Sequence, residues 1–212
     1  MDAAAWDERY AGRDLVWSHE PNAFVAAECA DLAPGRALDL ACGEGRNALW
    51  LAARGWAVTA ADFSAVALDK GRALGEGRPG AERVAWVVAD ATAWAAEPAY
   101  DLVVLCYLQL PAAERGEAVR RAWGSVAPSG TFLLVAHDSA NLEHGVGGPQ
   151  DPAVLMTAED VLGDLAGLLD GAEVVRAERV ERVVAGADAG SHGRPGPRDR
   201  VALDCLVRLR RA

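Results

Sequence analysis

The sequence predicts a doubly wound α/β fold, and three observations carry that expectation. Short, nearly continuous apolar runs recur along the chain ("RALDLA", "WAVTAAD", "RVAWVVAD", "YDLVVLCY", "TFLLVAHD"), the pattern of strands buried on both faces of a parallel sheet. Helix-period segments with recognisable start and stop residues alternate with these runs. A glycine-rich turn, "ACGEG", follows the first run, where an open α/β sheet receives its ligand.

The elements follow in order. "EPNAFVAAECADLAPG" reads as a helix with Pro21 in its first turn, stopped by Pro34 and Gly35. Ahead of it lie Trp6, Tyr10 and Trp17, aromatics that either pack this end against the sheet or form a cap over a site. The expected organisation is one domain, 1–212, with a helical cap over 1–34 and an α/β core over 35–212. Arg36 to Ala41 is the first strand, and "RNALWLAARG" a helix that Gly55 ends. "WAVTAAD" is the second strand; "SAVALDKGRALG" is a helix with Ser64 as N-cap. Arg83 to Asp90 and Tyr100 to Tyr107 are strands three and four. The segment "PAAERGEAVRRAWGSVAPSG" reads as one helix and Thr131 to Asp138 as strand five. The loop "SANLEHGVGGPQDPAVLM" is too long for a plain connection and is a candidate lid or binding loop. Thr157 with Asp160 opens another helix in capping-box fashion. "EVVRAERVERVVA" and "RVALDCLVRLR", joined by a glycine and proline linker, complete a seven-stranded, mostly parallel sheet with an antiparallel C-terminal strand.

Composition narrows the function. A chain of 212 residues, 51% hydrophobic and 25% charged, has the size and content of an ordinary folded domain. Its net charge of −10 argues against nucleic acid and anionic membrane as partners, since both require a concentrated positive surface. Cys29, Cys42, Cys106 and Cys205 lie far apart, with no C-x-x-C pair and no histidine cluster, so free thiols in a reducing cytoplasm are expected and no metal site. The N-terminus has neither a secretory nor a transit pattern, and no apolar run approaches the roughly 20 residues of a membrane span.

Gly43 and Gly45 allow a tight turn and close approach of a ligand, and the helix from Arg46 offers free N–H groups to it. Gly43-x-Gly45-x-x-Ala48 also satisfies the dinucleotide pattern, with Asp62 about twenty residues on, so a nicotinamide or flavin oxidoreductase competes. Charge favours a different ligand. A pyrophosphate on this turn would face Glu44 and Asp39, whereas an ammonium group would find carboxylates. S-adenosylmethionine carries ammonium and sulfonium charges, a ribose and no phosphate.

At "DLACGEG" the sequence resembles the class I S-adenosylmethionine-dependent methyltransferases, with Ala41 where a first glycine is usual. "CGEGRNALWLAARGWAVTAAD" is similar to small-molecule methyltransferases of the tellurite-resistance and thiopurine S-methyltransferase type, and the resemblance spans roughly residues 35 to 110. It implies a Rossmann-like methyltransferase fold that binds S-adenosylmethionine and releases S-adenosylhomocysteine. The turn from Asp39 through Ala41 and Gly43 to Gly45 would hold the methionine end, with Asp39 near the ammonium. Asp62 would accept from the ribose hydroxyls and Phe63 pack on adenine. Asp90 would accept from the adenine amino group and the Ala91 N–H meet a ring nitrogen. Arg46 would reach the donor's carboxylate, and the segment with Trp17 would close the site.

The acceptor would lie at the mouths of strands four and five, beside Tyr107, Gln109, His137, Asp138 and Asn141. His137 is the residue there suited to act as a base at neutral pH, or else it is tied to a neighbouring backbone group or carboxylate to shape the loop. Tyr107 is a pocket wall or an acid. The expected function is methyl transfer to a small soluble acceptor, such as a thiol or another soft nucleophile. A non-catalytic donor-binding domain is the third possibility.

Overall fold

A computed structural model describes residues 3–12, 15–16, 18–95, 97–184 and 200–212. Its helices are α1 (Ala3–Tyr10), α2 (Ala23–Cys29), α3 (Arg46–Ala53), α4 (Ala65–Gly75), α5 (Ala112–Gly124), α6 (Asn141–His144) and α7 (Ala158–Asp164). The strands are β1 (Arg36–Leu40), β2 (Ala57–Asp62), β3 (Val84–Val88), β4 (Tyr100–Cys106), β5 (Val126–His137), β6 (Glu173–Val184) and β7 (Arg200–Arg210). They form one seven-stranded mixed sheet in the order β3-β2-β1-β4-β5-β7-β6. The order reverses between β1 and β4, which opens a crevice at their carboxyl ends. β1 to β5 pair in parallel, and β7 runs antiparallel to both β5 and β6, so β6 shares the direction of the parallel strands.

One apolar cluster covers each face of the sheet. Leu38, Leu40, Val103, Leu105, Phe132 and Leu134 pack on one side against α5 and α7. Ala37, Val58, Leu102, Val104, Leu133 and Leu206 pack on the other against α2 and α3. Alternate residues of the central strands thus face opposite layers, and both layers are apolar, which is why these strands read as unbroken hydrophobic runs.

Several boundaries follow their local chemistry. Ser64 caps α4 by accepting from the Ala67 N–H, and Thr157 and Asp160 close a full capping box on α7. Others depart from the sequence reading. The helix expected over 111–130 stops at Gly124, and β5 already begins at Val126. There the register with β4 slips between Tyr100 and Leu102, a bulge that accommodates Pro128 and a left-handed Ser129 at φ 63. Pro21 lies outside α2, whose N-cap is Asn22. The first and third strands end at Leu40 and Val88, freeing the residues after them for turns. The linker between β6 and β7 and Trp17 lie outside the described residues.

The β6–β7 hairpin outreaches its neighbour. β5 ends in register at His137 opposite Asp204, while Arg200 to Leu203 pair onward with Val184 to Glu181. At about 3.3 Å per residue, this overhang of four residues stands roughly 13 Å above the end of β5 and walls the crevice on one side.

Candidate functional site

The glycine turn is built where β1 gives way to α3. Ala41 and Gly45 both take left-handed conformations, φ 60 and φ 75, and Gly45 serves as the N-cap position of α3. The Trp86 ring of β3 fits between Gly45 and Gly71; a Cβ on Gly45 would run into it, and one on Gly71 would lie 2.5 Å from its Cη2. Trp86 therefore packs, and its partner surface is the glycine turn itself.

Asp39 closes the strand side of this turn. It is fully buried, and neither carboxylate oxygen has a hydrogen-bond partner among the described residues. Burial pushes its carboxyl up to about 7, while the Ala48 N–H, which approaches without completing a hydrogen bond, and the Arg46 charge pull the other way. Asp62 ends β2 on the opposite side. Its Oδ2 accepts from the Gly43 N–H at 2.9 Å and its Oδ1 from the Ser64 N–H at 2.9 Å, so it ties β2 to the glycine turn. Burial raises its carboxyl as well, opposed by those backbone N–H groups and reinforced by nearby Asp7.

Phe63 is half-buried beside Asp62, and Ala91 is buried next to an exposed Asp90. One Asp90 oxygen accepts from both the N–H and the hydroxyl of Thr92 at 2.8 Å, fixing the carboxylate at the end of β3. The structure thus brings Asp39, Asp62 and Asp90 to the carboxyl ends of three adjacent strands, β1, β2 and β3.

Glu44 has a role different from the one its charge suggested. It is buried, forms an ion pair with Lys70 Nζ at 2.8 Å, and accepts from the Val16 N–H at 3.1 Å. Its charge is already balanced, so it does not select the ligand. Lys70 also donates to the carbonyls of Tyr10 and Gly12, both at 3.1 Å, and Asp7 of α1 meets the Ser64 hydroxyl at 2.5 Å. The N-terminal segment is therefore clasped along α4 beside the turn. Arg46 leans toward the same segment, donating to the Ser18 hydroxyl at 3.3 Å.

On the other flank a polar cluster joins residues at five elements, α2, β4, β5, β6 and β7. Tyr107, left-handed at φ 59, donates from its hydroxyl to Asp204 Oδ2 at 2.7 Å and accepts from Asn22 Nδ2 at 3.3 Å. Arg182 Nε donates to the same Oδ2 at 2.8 Å, and His137 Nδ1 lies 3.1 Å from Asp204 Oδ1. The rings of Tyr107 and His137 are tilted against each other with centroids 4.8 Å apart. Asp204 is completely buried and, despite that burial, is held below the usual carboxylate range by His137, Arg182 and Tyr107. Burial and the Asp204 charge push the Tyr107 hydroxyl well up, so it stays protonated and acts as a donor.

The remaining acceptor-side residues serve the scaffold. Asn141 donates to the Gly147 carbonyl at 2.9 Å and accepts from the Leu203 N–H at 2.7 Å, while Gln109 donates to the Val154 carbonyl at 3.2 Å. Asp138 pairs with Arg179 at 2.8 Å. Asp204, Arg182, Asn22 and Lys70 are the participants hardest to find in the sequence. Asp204 leaves one trace, a lone acid at an inward position of the apolar run "RVALDCLVRL".

Comparison with known proteins bears on this crevice. Residues 37–130 match the family model described as a methyltransferase domain. Over 99% of its length the chain is similar in structure to NodS, an N-methyltransferase from Bradyrhizobium japonicum in complex with S-adenosyl-l-homocysteine, at 18% identity, 99% of that chain and TM-score 0.70. The same share matches TehB from Haemophilus influenzae at 17% identity, 67% of that chain and TM-score 0.68. It also matches a protein of echinomycin biosynthesis, where a disulfide bond is converted into a thioacetal group, at 21% identity, 92% of that chain and TM-score 0.72. No curated protein matches the chain. The sheet order and the place of the glycine turn beside the first strand are those of the fold these structures share. Residues 37–130 thus carry the match to a methyltransferase domain, and the solved structures share the fold around it. The residues present would suit a cationic donor such as S-adenosylmethionine, because the buried carboxylate at Asp39 is the partner a cationic group requires.

Proposed function

We propose that the protein transfers a methyl group from S-adenosylmethionine to a small soluble acceptor, a thiol or another soft nucleophile, with His137 as the acceptor-side base. The observation that carries this reading is Asp39, a buried carboxylate without a hydrogen-bond partner among the described residues at the mouth of the glycine turn. A diphosphate placed there would meet uncompensated negative charge, whereas an ammonium supplies the missing partner. Asp39, Ala41, Gly43, Gly45 and Arg46 would hold the methionine end, Asp62 the ribose, and Phe63, Asp90 and Ala91 the adenine. Residues 1–34, including Trp17, act as a cap on the 35–212 core within one domain.

When bound, the donor supplies a methyl carbon already activated by its sulfonium, so the chain has chiefly to orient the acceptor and exclude water. Tyr107 forms a wall of that pocket, and His137 takes a proton where the acceptor carries one. The net charge of −10 supports a small acceptor over nucleic acid. Four free cysteines suit a reducing cytoplasm, and no helix among the described residues is long and apolar enough to cross a membrane.

Thermal shift tests the reading directly. S-adenosylhomocysteine at a hundred times its Kd stabilises the folded state by about 2.7 kcal/mol, a rise in melting temperature of roughly 5–10 °C for a chain of this size. NAD and NADP produce no shift; stabilisation by NAD alone would overturn the assignment in favour of an oxidoreductase. Turnover is then screened against thiols, selenium and tellurium oxyanions, amines and phenols. Donor binding without turnover of any acceptor would favour a non-catalytic binding domain.

A further inference from the structure

We propose that Asp204 is a positioning residue: it fixes His137 as the Nδ1–H tautomer and leaves Nε2 as the bare nitrogen that takes the acceptor's proton. The inference rests on the methyl-transfer reading above and deepens it, because it says which nitrogen does the work and what holds it.

Three features of the polar cluster converge on this assignment. Asp204 Oδ2 already accepts from the Tyr107 hydroxyl and from Arg182 Nε, two donors that keep the carboxylate ionised and fix its plane. Oδ1 faces His137 Nδ1 at 3.1 Å, off the line of an ideal hydrogen bond, and both atoms are buried with no other partner among the described residues. An ionised carboxylate can only accept. A bare Nδ1 would therefore set lone pair against lone pair where no water reaches, so the proton belongs on Nδ1 and the neutral ring's lone pair on Nε2.

The surroundings leave that second nitrogen available. Nε2 has no hydrogen bond to a described residue. The backbone of Gly148 lies along this edge of the ring, and a Cβ there would stand 2.8 Å from Cδ2 and 2.9 Å from Nε2. A glycine at this point lets the loop backbone pass close to the ring without a side chain clashing with Nε2. The charged and titratable groups facing His137 are Asp204 from β7, Arg182 from β6 and Tyr107 after β4. Its chain neighbour Asp138 is neutralised by Arg179. The acceptor's proton passes to Nε2, the resulting imidazolium is balanced by Asp204, and the proton returns to solvent once product has left.

Nitrogen-15 NMR of the histidine rings in the full chain is the test, with the His137 signals assigned by their loss in His137→Gln. In wild type the pattern of an Nδ1–H tautomer is expected; an Nε2–H tautomer overturns the proposal, and this measurement needs no variant at Asp204 to fold. In Asp204→Asn the side-chain amide can donate to Nδ1, so the tautomer inverts to Nε2–H. An unchanged tautomer in this variant would overturn it too. Against whichever acceptor the screen identifies, Asp204→Asn lowers kcat by about 10²–10⁴-fold, while the Kd for S-adenosylhomocysteine stays within about twofold, since Asp204 lies outside the donor site. Failure of wild type to bind S-adenosylhomocysteine would sink the methyl-transfer reading while leaving the tautomer result intact, so the two failures are distinguishable.

Discussion

Ala41 and Gly45 sit four residues apart in one turn, both left-handed, and the sequence treats them in opposite ways. A left-handed conformation costs an L-residue about 1–2 kcal/mol, and Ala41 bears that cost where the resembling family usually has glycine. Ala41→Gly relieves it, offset by the greater freedom glycine has when unfolded, so a net gain of up to about 1 kcal/mol is expected in urea unfolding. Gly45→Ala adds the same backbone strain and drives a methyl group into Trp86, costing about 2–5 kcal/mol. Similar effects from the two changes would show that the turn relaxes freely. At this scale the sequence was legible where a residue answers to its own strand: Asp62 and Asp90 end apolar runs, and Asp39 is the lone acid within one. It was misleading at Glu44, because charge can be read from a sequence but the cation that neutralises it, Lys70 on the next helix, cannot.

Elements were legible where their ends are written locally, as at Ser64 and Thr157, and obscure where tertiary pairing decides. Nothing within "WGSVAPSG" says that Val126 pairs with Tyr100, yet that pairing turns the end of an expected helix into a strand. The same limit hid the clasp on the N-terminal segment, in which Lys70 links Glu44 to the carbonyls of Tyr10 and Gly12. Lys70→Met leaves the buried Glu44 carboxylate without this cation, a penalty of about 3–5 kcal/mol if the structure held still. The cheaper response is for the segment carrying α1 to lift away and admit water. Protease cleavage within residues 3–20 should therefore accelerate and the Kd for S-adenosylhomocysteine rise by about tenfold or more, with a smaller fall in global stability. Adding Glu44→Gln should recover the stability and leave the segment loose. If cleavage and affinity are unchanged in Lys70→Met, the clasp does not order the cap.

Across the whole molecule, the carboxylate that fits the donor also burdens the empty fold. Asp39 titrates near 7 when folded, above its ordinary value of 3.8, so between those two values the folded chain holds a proton that the unfolded chain has released. Stability of the ligand-free protein therefore falls as pH rises through that window: the contribution is intact below about 4, is lost by about 7, and stays lost above. Asp62, also raised, adds to the same slope. A cationic ligand reverses the balance, since it binds the ionised form and must displace the proton below pH 7. The affinity for S-adenosylhomocysteine, which keeps the ammonium, should consequently fall by up to about tenfold per pH unit on acidification below 7. Asp39→Asn removes the titrating group, so it should raise ligand-free stability at pH 8, weaken S-adenosylhomocysteine binding and flatten its pH dependence, with any residual slope due to Asp62. Calorimetric titration from pH 6 to 8, paired with urea unfolding of both proteins, separates these effects. A variant that binds as tightly as wild type with the same pH profile would mean that the buried charge at Asp39 is not what holds the ammonium.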